Sequence, residues 1–419
     1  MLKVLELFAG VGGFRLGLEN ADKDFFKTLW ANQWDPGKKS QEAFEVYDYH
    51  FSESENINIS ISDITDDMFL EMNADLIVGG FPCQDYSVAR SKKDEKGIEG
   101  EKGVLFWEII RATKIISPKY LILENVDRLL KSPSKQRGRD FAIMLKAFDD
   151  LGYSVEWRVI NAADYGRAQR RKRIFFFIFR NDTDYSRGLG FDGEESFFED
   201  YVFRKGLFAI QFPVKSELLK NRKVSYEFVE DIFEISNLFT GIFWNSGFMR
   251  YGKCYSFDTI SDYNFRKLSL GDVIEKGVVD EKYYITDPGK LEKIDYLRSA
   301  KKINRVSKDG FSYIYSEGGM SPYDSLDLPA RTMLTSEGTV NRSSHVIKVG
   351  DRYRFLTPVE AERLQDFPDN WTEYKRNSDG MIEKVKDRMR MFFMGNALVT
   401  DIVKEIGYFI RKVELEVEK

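Results

Sequence analysis

A chain of 419 residues, 42% of them hydrophobic, is long enough for one large or two moderate domains with cores of their own. Two cysteines and two histidines exclude a disulfide framework and leave little from which to build a Cys/His zinc centre or a histidine-dependent hydrolase. The formal charge of −5, from 63 Lys and Arg against 68 Asp and Glu, argues against a uniformly basic nucleic-acid surface and leaves local clusters to decide.

No apolar run reaches the roughly 18 residues of a membrane span. Glu6 breaks the first apolar stretch where a secretory signal would continue, so the chain is expected in the cytoplasm. Short apolar runs at Val4 to Phe8, Leu76 to Val78, Tyr120 to Leu123 and Ile174 to Phe179 alternate with stretches of helical length. That alternation predicts an α/β fold, a mostly parallel sheet covered on both faces.

Each run ends in residues of chemical interest. After the first comes Phe8-Ala9-Gly10-Val11-Gly12-Gly13, a glycine turn that lets backbone approach a ligand at a helix start. The dinucleotide glycine spacing and a phosphate-binding lysine are both missing, which speaks against a nicotinamide dehydrogenase. Asn32-Gln33-Trp34-Asp35 and Ser62-Asp63-Ile64 fall where second and third strands should end, and offer an aromatic ring and polar groups suited to a nucleoside.

Gly79-Gly80-Phe81-Pro82-Cys83-Gln84 follows the next strand, with Pro82 pushing Phe81 away from helical geometry. Cys83 is thereby expected at the carboxyl edge of the sheet, where open α/β sheets bind ligands. The polar, lysine-rich stretch from Asp85 to Gly103 reads as a mobile lid. Glu124-Asn125-Val126 follows the next apolar run, Tyr120 to Leu123, at the same edge. In Gln169-Arg170-Arg171-Lys172-Arg173, strand geometry puts Arg171 and Arg173 on one face and Lys172 on the other. Taken singly, each fragment has a plain alternative: a tight turn, an inert buried thiol, a helix cap, a charged strand entrance.

Lys131, Lys135, Arg137 and Arg139 form one basic cluster, Arg167 to Arg173 a second, and Arg298, Lys301, Lys302, Arg305 and Lys308 a third. From about 190 to 345 periodicity fails, which predicts a separate, loop-rich domain. Val399, Ile402, Val403, Ile406, Phe409, Ile410 and Val413 then recur at helical spacing and predict a C-terminal helix with one buried face.

In this order the fragments resemble the DNA cytosine-5 methyltransferase family of bacterial restriction–modification systems. The likeness runs through residues 8–13, 81–84, 124–126 and 169–173, and continues in Arg354-Phe355-Leu356-Thr357-Pro358-Val359-Glu360 and Gly395-Asn396-Ala397. Between them only Ala330-Arg331-Thr332-Met333-Leu334 is familiar. The resemblance implies a Rossmann-like, S-adenosylmethionine-dependent catalytic domain over 1–190 and 385–419, with a smaller target-recognition domain and hinge over 191–384.

It also implies roles. Cys83 would be the nucleophile, Glu124 the partner of the cytosine ring, and Arg171 and Arg173 the grips on the base and nearby backbone. The cofactor pocket would comprise Phe8, Gly10, Gly12, Gln33, Trp34, Asp63, Ile64, Pro82, Leu105, Asn396 and Leu398, with no metal. Gln33 stands where the family usually has a glutamate for the ribose hydroxyls. The implied partner is double-stranded DNA, gripped through the basic clusters by a monomer, with a cognate restriction endonuclease in many members. A tRNA cytosine-5 methyltransferase and a non-catalytic DNA-binding regulator of the same fold are the alternatives.

Overall fold

The computed structural model describes residues 1–81, 104–218, 222–307 and 310–417. Ten strands make one sheet: β1 (Leu2–Leu7), β2 (Phe26–Asn32), β3 (Glu55–Ile57), β4 (Leu76–Gly80), β5 (Tyr120–Val126), β6 (Tyr153–Asn161), β7 (Lys172–Arg180), β8 (Lys223–Glu227), β9 (Ser246–Arg250) and β10 (Lys253–Phe257). Their order is β3-β2-β1-β4-β5-β7-β6-β9-β10-β8.

The two faces are covered as the apolar runs require. On β5, Leu121 and Leu123 face one cluster with Ile109, Phe141 and Phe148 from the helices Val104–Ile116 and Arg139–Asp150. Tyr120 and Ile122 face the other, with Phe14 and Leu18 of the helix Gly13–Asp22 and Ile402, Val403, Ile406, Phe409 and Ile410 of the helix Thr400–Val417. This last helix carries the buried face that its spacing predicts. Glu6, the charge inside the first apolar run, is fully buried; it accepts a hydrogen bond from the Tyr47 hydroxyl at 3.0 Å, and burial pushes its carboxyl up to about 7.

Two expectations need correction. Only β3, β2, β1, β4 and β5 are parallel; β7 runs antiparallel to β5 and to β6. The segment between β6 and β7 is too short for the crossover that a parallel neighbour needs, so the chain turns straight back. The sheet also continues past residue 190, because β9 pairs with β6 and carries β10 and β8 with it. Those strands escape a reading by pattern because β9, Ser-Gly-Phe-Met-Arg, is buried on both faces and does not alternate. A Cβ at Gly247 would stand 2.1 Å from the Trp157 ring, so the residue of low strand propensity is the one that fits.

The last third of the chain packs on the strand-end edge. Leu356, Ala361, Leu364, Phe367, Met391 and Met394 share a cluster with Val11 and Leu16. Its anchor is a buried ion pair in which Arg354 donates to Glu360 through both terminal nitrogens, at 2.8 and 2.6 Å. Thr357 and Glu360 form a capping box at the start of the helix Pro358–Leu364. No described helix is long and apolar enough to cross a membrane.

The contact between the helices Gly13–Asp22 and Thr400–Val417 turns on Gly17, where a Cβ would lie 2.6 Å from both the Thr400 carbonyl oxygen and Val403 Cβ. Gly17→Ala is therefore expected to lower stability by about 1–3 kcal/mol through overpacking, although alanine is the better helix former. Urea unfolding checks this; a variant at least as stable as the parent would contradict it.

Candidate active site

The glycine turn is bound to the end of β2. Ala9 N–H donates to the Asn32 carbonyl at 3.0 Å, and Gly10 N–H donates to Gln33 Oε1 at 2.8 Å. Phe8, Gly10 and Gly12 all have positive φ, at 55°, 56° and 89°. At Gly12 the turn also leaves no room, since a Cβ would meet the Phe51 ring at 2.5 Å. At Gly10 the position a Cβ would take opens on space free of protein atoms within 4 Å.

Of the expected cofactor residues, Gly10, Gly12 and Gln33 meet in this turn. Leu398 lies over Gly13, 3.3 Å from where its Cβ would be. Phe8 and Leu105 pack against the cluster that holds Ile64 and Phe81. Trp34 is 40% exposed, and Asp63 and Asn396 are exposed as well. Gln33 is buried, and its side-chain oxygen is already engaged by the turn.

One strand further, Gly80 at the end of β4 pairs with Glu124 on β5. Glu124 Oε2 would be 3.1 Å from a Cβ at Gly80, so a larger residue would crowd the carboxyl. Arg173 Nε sits 2.8 Å from Glu124 Oε1. Burial raises the Glu124 carboxyl above its ordinary range, and the charges of Arg173 and Arg171 offset only part of that rise. Asn125 supplies a contact that the sequence reading missed. Its Nδ2 donates to the Phe81 carbonyl at 2.9 Å and fixes the chain at the threshold of Pro82 and Cys83.

Pro82, Cys83 and the stretch expected as a lid lie outside the described residues. The other cysteine, Cys254, is fully buried on β10, and burial pushes its thiol well up, which makes it a poor nucleophile. Neither histidine is placed for catalysis. His50 stacks on Trp371 with ring centroids 3.7 Å apart, and His345 is buried against Glu337 at 3.0 Å.

Arg171 and Arg173 make different contacts. Arg171 is buried and donates to the carbonyls of Met333 at 3.1 Å and Gly395 at 3.0 Å. Gln169 reinforces it, donating to the Leu364 carbonyl at 3.0 Å and accepting from Met333 N–H at 2.9 Å. A Cβ at Gly395 would lie 2.5 Å from backbone atoms of both Leu334 and Thr335, so these segments meet with no space for a side chain. The direct ion pair with the Glu124 carboxyl is made by Arg173, while Arg171 acts on it through its charge. The third basic cluster is likewise divided: Arg298 is buried on Asp324 at 2.9 Å, whereas Lys302 and Arg305 are exposed.

A largely buried carboxyl of raised pKa beside a guanidinium, on the strand next to the one that leads into Pro82-Cys83, is an arrangement that can bind and polarise an amidine-like ring edge. Comparison with known proteins agrees. The profile of C-5 cytosine-specific DNA methylases matches residues 2–412. The chain belongs to this family. The Type II methyltransferase M.Sau3AI of Staphylococcus aureus is 52% identical over 413 residues, spanning 99% of this chain and 96% of that protein. M.HhaI of Haemophilus parahaemolyticus is 34% identical over 183 residues, 44% of this chain and 50% of that protein. The fold is shared with the Dnmt2 methyltransferase of S. pombe, with a TM-score of 0.59 at 15% identity, covering 100% of this chain and 99% of that one. The methylase is thus a DNA cytosine-5 methyltransferase related to those of Type II restriction–modification systems.

Replacing Gln33 by leucine in the methylase leaves Gly10 N–H without its acceptor inside a strained turn. A loss of about 1–3 kcal/mol is expected from the unpaired donor. Thermal unfolding of Gln33→Leu beside the parent measures it, and coincident melting curves would remove Gln33 from this role.

Proposed function

We propose that the methylase transfers the methyl group of S-adenosylmethionine to C5 of a cytosine flipped out of a specific duplex sequence, through a transient bond between Cys83 Sγ and C6. The observation that carries this reading is the raised carboxyl of Glu124, paired with Arg173 at the strand edge beside Gly80 and Phe81. Stacking and pairing within the duplex hide C5 and C6 from any side chain, so the base must leave the helix before it can react.

The thiolate of Cys83 adds to C6, and the ring's electrons move toward C5. Glu124, protonated, donates to N3 and accepts from the exocyclic amine, which stabilises the charge that addition places on the ring. Arg173 orients the Glu124 carboxyl through Nε and is assigned the ring's O2. After C5 has taken the methyl, a base removes the C5 proton, the C6–S bond breaks, and Cys83 recovers its electron pair.

The bound donor supplies an electrophilic methyl on a sulfonium sulfur. The residues assigned to it suit it: the opening beside Gly10, the exposed Trp34 ring for adenine, the Asp63 carboxylate and Asn396 amide as polar contacts, and Phe8, Gly12, Ile64, Leu105 and Leu398 as walls, with Pro82 added by the resemblance alone. Gln33 is assigned to holding the turn through its side-chain oxygen.

Target recognition is assigned within the expected 191–384, to the part beyond β10. The hairpin of Lys301–Val306 and Ser312–Glu317 there exposes Lys302, Arg305, Tyr313 and Ile314, a mixture suited to phosphates and base edges. The methylase is assigned to act as a monomer on DNA in the bacterial cytoplasm, at the nucleoid, beside an endonuclease that cuts the same site.

Cys83→Ser is expected to abolish methyl transfer and leave specific duplex binding intact, read by tritium transfer and by gel shift. A covalent complex with 5-fluorocytosine duplex should form with the parent alone; its absence from the parent would sink the mechanism, and equal trapping on tRNA would redirect the substrate.

The pH dependence has a definite sign. Glu124 acts protonated, so kcat falls as pH rises through its pKa, and the limb lies above the ordinary carboxyl value of 4.5. Glu124→Gln is expected to lower kcat by roughly 10²–10⁴-fold and to erase that limb. A variant profile that keeps the limb would assign it to another group.

A further inference from the structure

Beyond the Glu124 site, the same edge of the sheet holds a cavity of about 630 Å³, formed where β6 and β7 meet the turns flanking β9 and β10. That size is in the range of small-molecule sites, roughly 300–1,000 Å³. Five cationic side chains and three carboxylates line it. Arg222 is 3.3 Å from Asp258. Lys131, Arg137 and Lys172 form no ion pair among the described residues, which leaves an excess of positive charge.

Three residues lining this cavity carry buried polar atoms with no hydrogen-bond partner among the described residues: Arg158 Nε, Asn161 Oδ1 and Trp244 Nε1. Arg158 is 1% exposed, and its other nitrogens are fixed on the carbonyls of Phe208, Phe212 and Val202. Buried polar groups are ordinarily satisfied, so this concentration calls for a ligand. Two of the atoms are donors and one is an acceptor. The half-buried Trp244 adds an aromatic surface, with the Arg222 guanidinium 5.0 Å from its ring.

A bare anion would use the cations and leave the Asn161 oxygen and the Trp244 ring idle. An apolar ligand would leave the cations idle. A phosphorylated nucleoside uses all of them: phosphate oxygens on Lys131, Arg137 and Lys172, a base against Trp244, and a base N–H toward Asn161 Oδ1. We propose that this cavity is a second nucleotide-binding site of the methylase, separate from the pocket for the target cytosine. Its occupant is a nucleotide, either one unit of the bound DNA strand or a free mononucleotide. Lys172 and Arg173, adjacent on β7 and pointing to opposite faces of it, then belong to two sites.

Calorimetry with the full-length protein tests this with inorganic phosphate and the four deoxynucleoside 5′-monophosphates, and fluorescence with duplexes carrying 2-aminopurine at each position flanking the target. At least one monophosphate is expected to bind tenfold or more tightly than inorganic phosphate. Lys131→Ala/Arg137→Ala should weaken that binding tenfold or more, and Trp244→Phe, which removes the indole N–H and narrows the aromatic surface, about threefold. If the DNA strand is the source, duplex affinity falls with the same variants and one 2-aminopurine position brightens in the parent alone. If a free nucleotide is the source, duplex affinity is unchanged while mononucleotide binding falls.

The proposal is overturned if phosphate and monophosphates bind equally, or if no probe binds and both variants hold duplex affinity within twofold of the parent. Thermal melts establish that the variants fold, and Trp244→Phe serves should the double variant not. Only the duplex arm rests on the assignment to DNA methylation; methyl transfer by the parent, measured in the same preparation, tests that assignment separately.

Discussion

Two buried side chains, Gln169 and Arg171, hold the catalytic edge to the last third of the chain. Both enter from the start of β7, and between them they engage the backbone of Met333, Leu364 and Gly395. Each hydrogen bond from a charged donor contributes about 1.5–3 kcal/mol net, but losing one partner of such a buried group costs more than the bond itself. A guanidinium with almost no access to water must keep its carbonyls, so segments far apart in sequence are locked to one strand end. Arg173, two residues on, is thereby free to serve the carboxyl of Glu124.

That division shows how one strand can serve structure and chemistry at once. Side chains alternate along β7, with Lys172 on one face and Arg173 on the other, while the irregular turn before it directs Arg171 into the protein. Glu124 gains its raised pKa from the same burial that stabilises the sheet, moderated by the charges of Arg173 and Arg171. Both histidines of the chain are occupied in packing.

Much of this was legible in the sequence. The apolar runs gave the strands, the periodicity of Val399 to Val413 gave the last helix, and the position of Glu124 after Leu123 placed a carboxyl at a strand end. The direction of β7 was not legible, because apolar content is the same for parallel and antiparallel neighbours; only the short connection to β6 decides it. Nor were β8 to β10, where Gly247 and Ser246 occupy a buried strand on account of the Trp157 ring. The Thr357–Glu360 capping box did carry its signal, a threonine three residues before a glutamate with proline between, and it marks a structural role inside a stretch that the family resemblance also covers. Arg171 looked like a ligand-binding residue because a lone sequence cannot tell a cation facing a cleft from one clasping carbonyls.

The absence of a side chain at residue 395 has a mechanical meaning. Its α-carbon rests against the peptide joining residues 334 and 335, so no side chain separates the segment that follows the exposed hairpin from the segment leading to Asn396 and Leu398. A shift of either chain by a fraction of a bond length must displace the other. Under the proposed assignment, the segment that follows the exposed hairpin and the segment that precedes Asn396 and Leu398 thus meet through direct backbone contact.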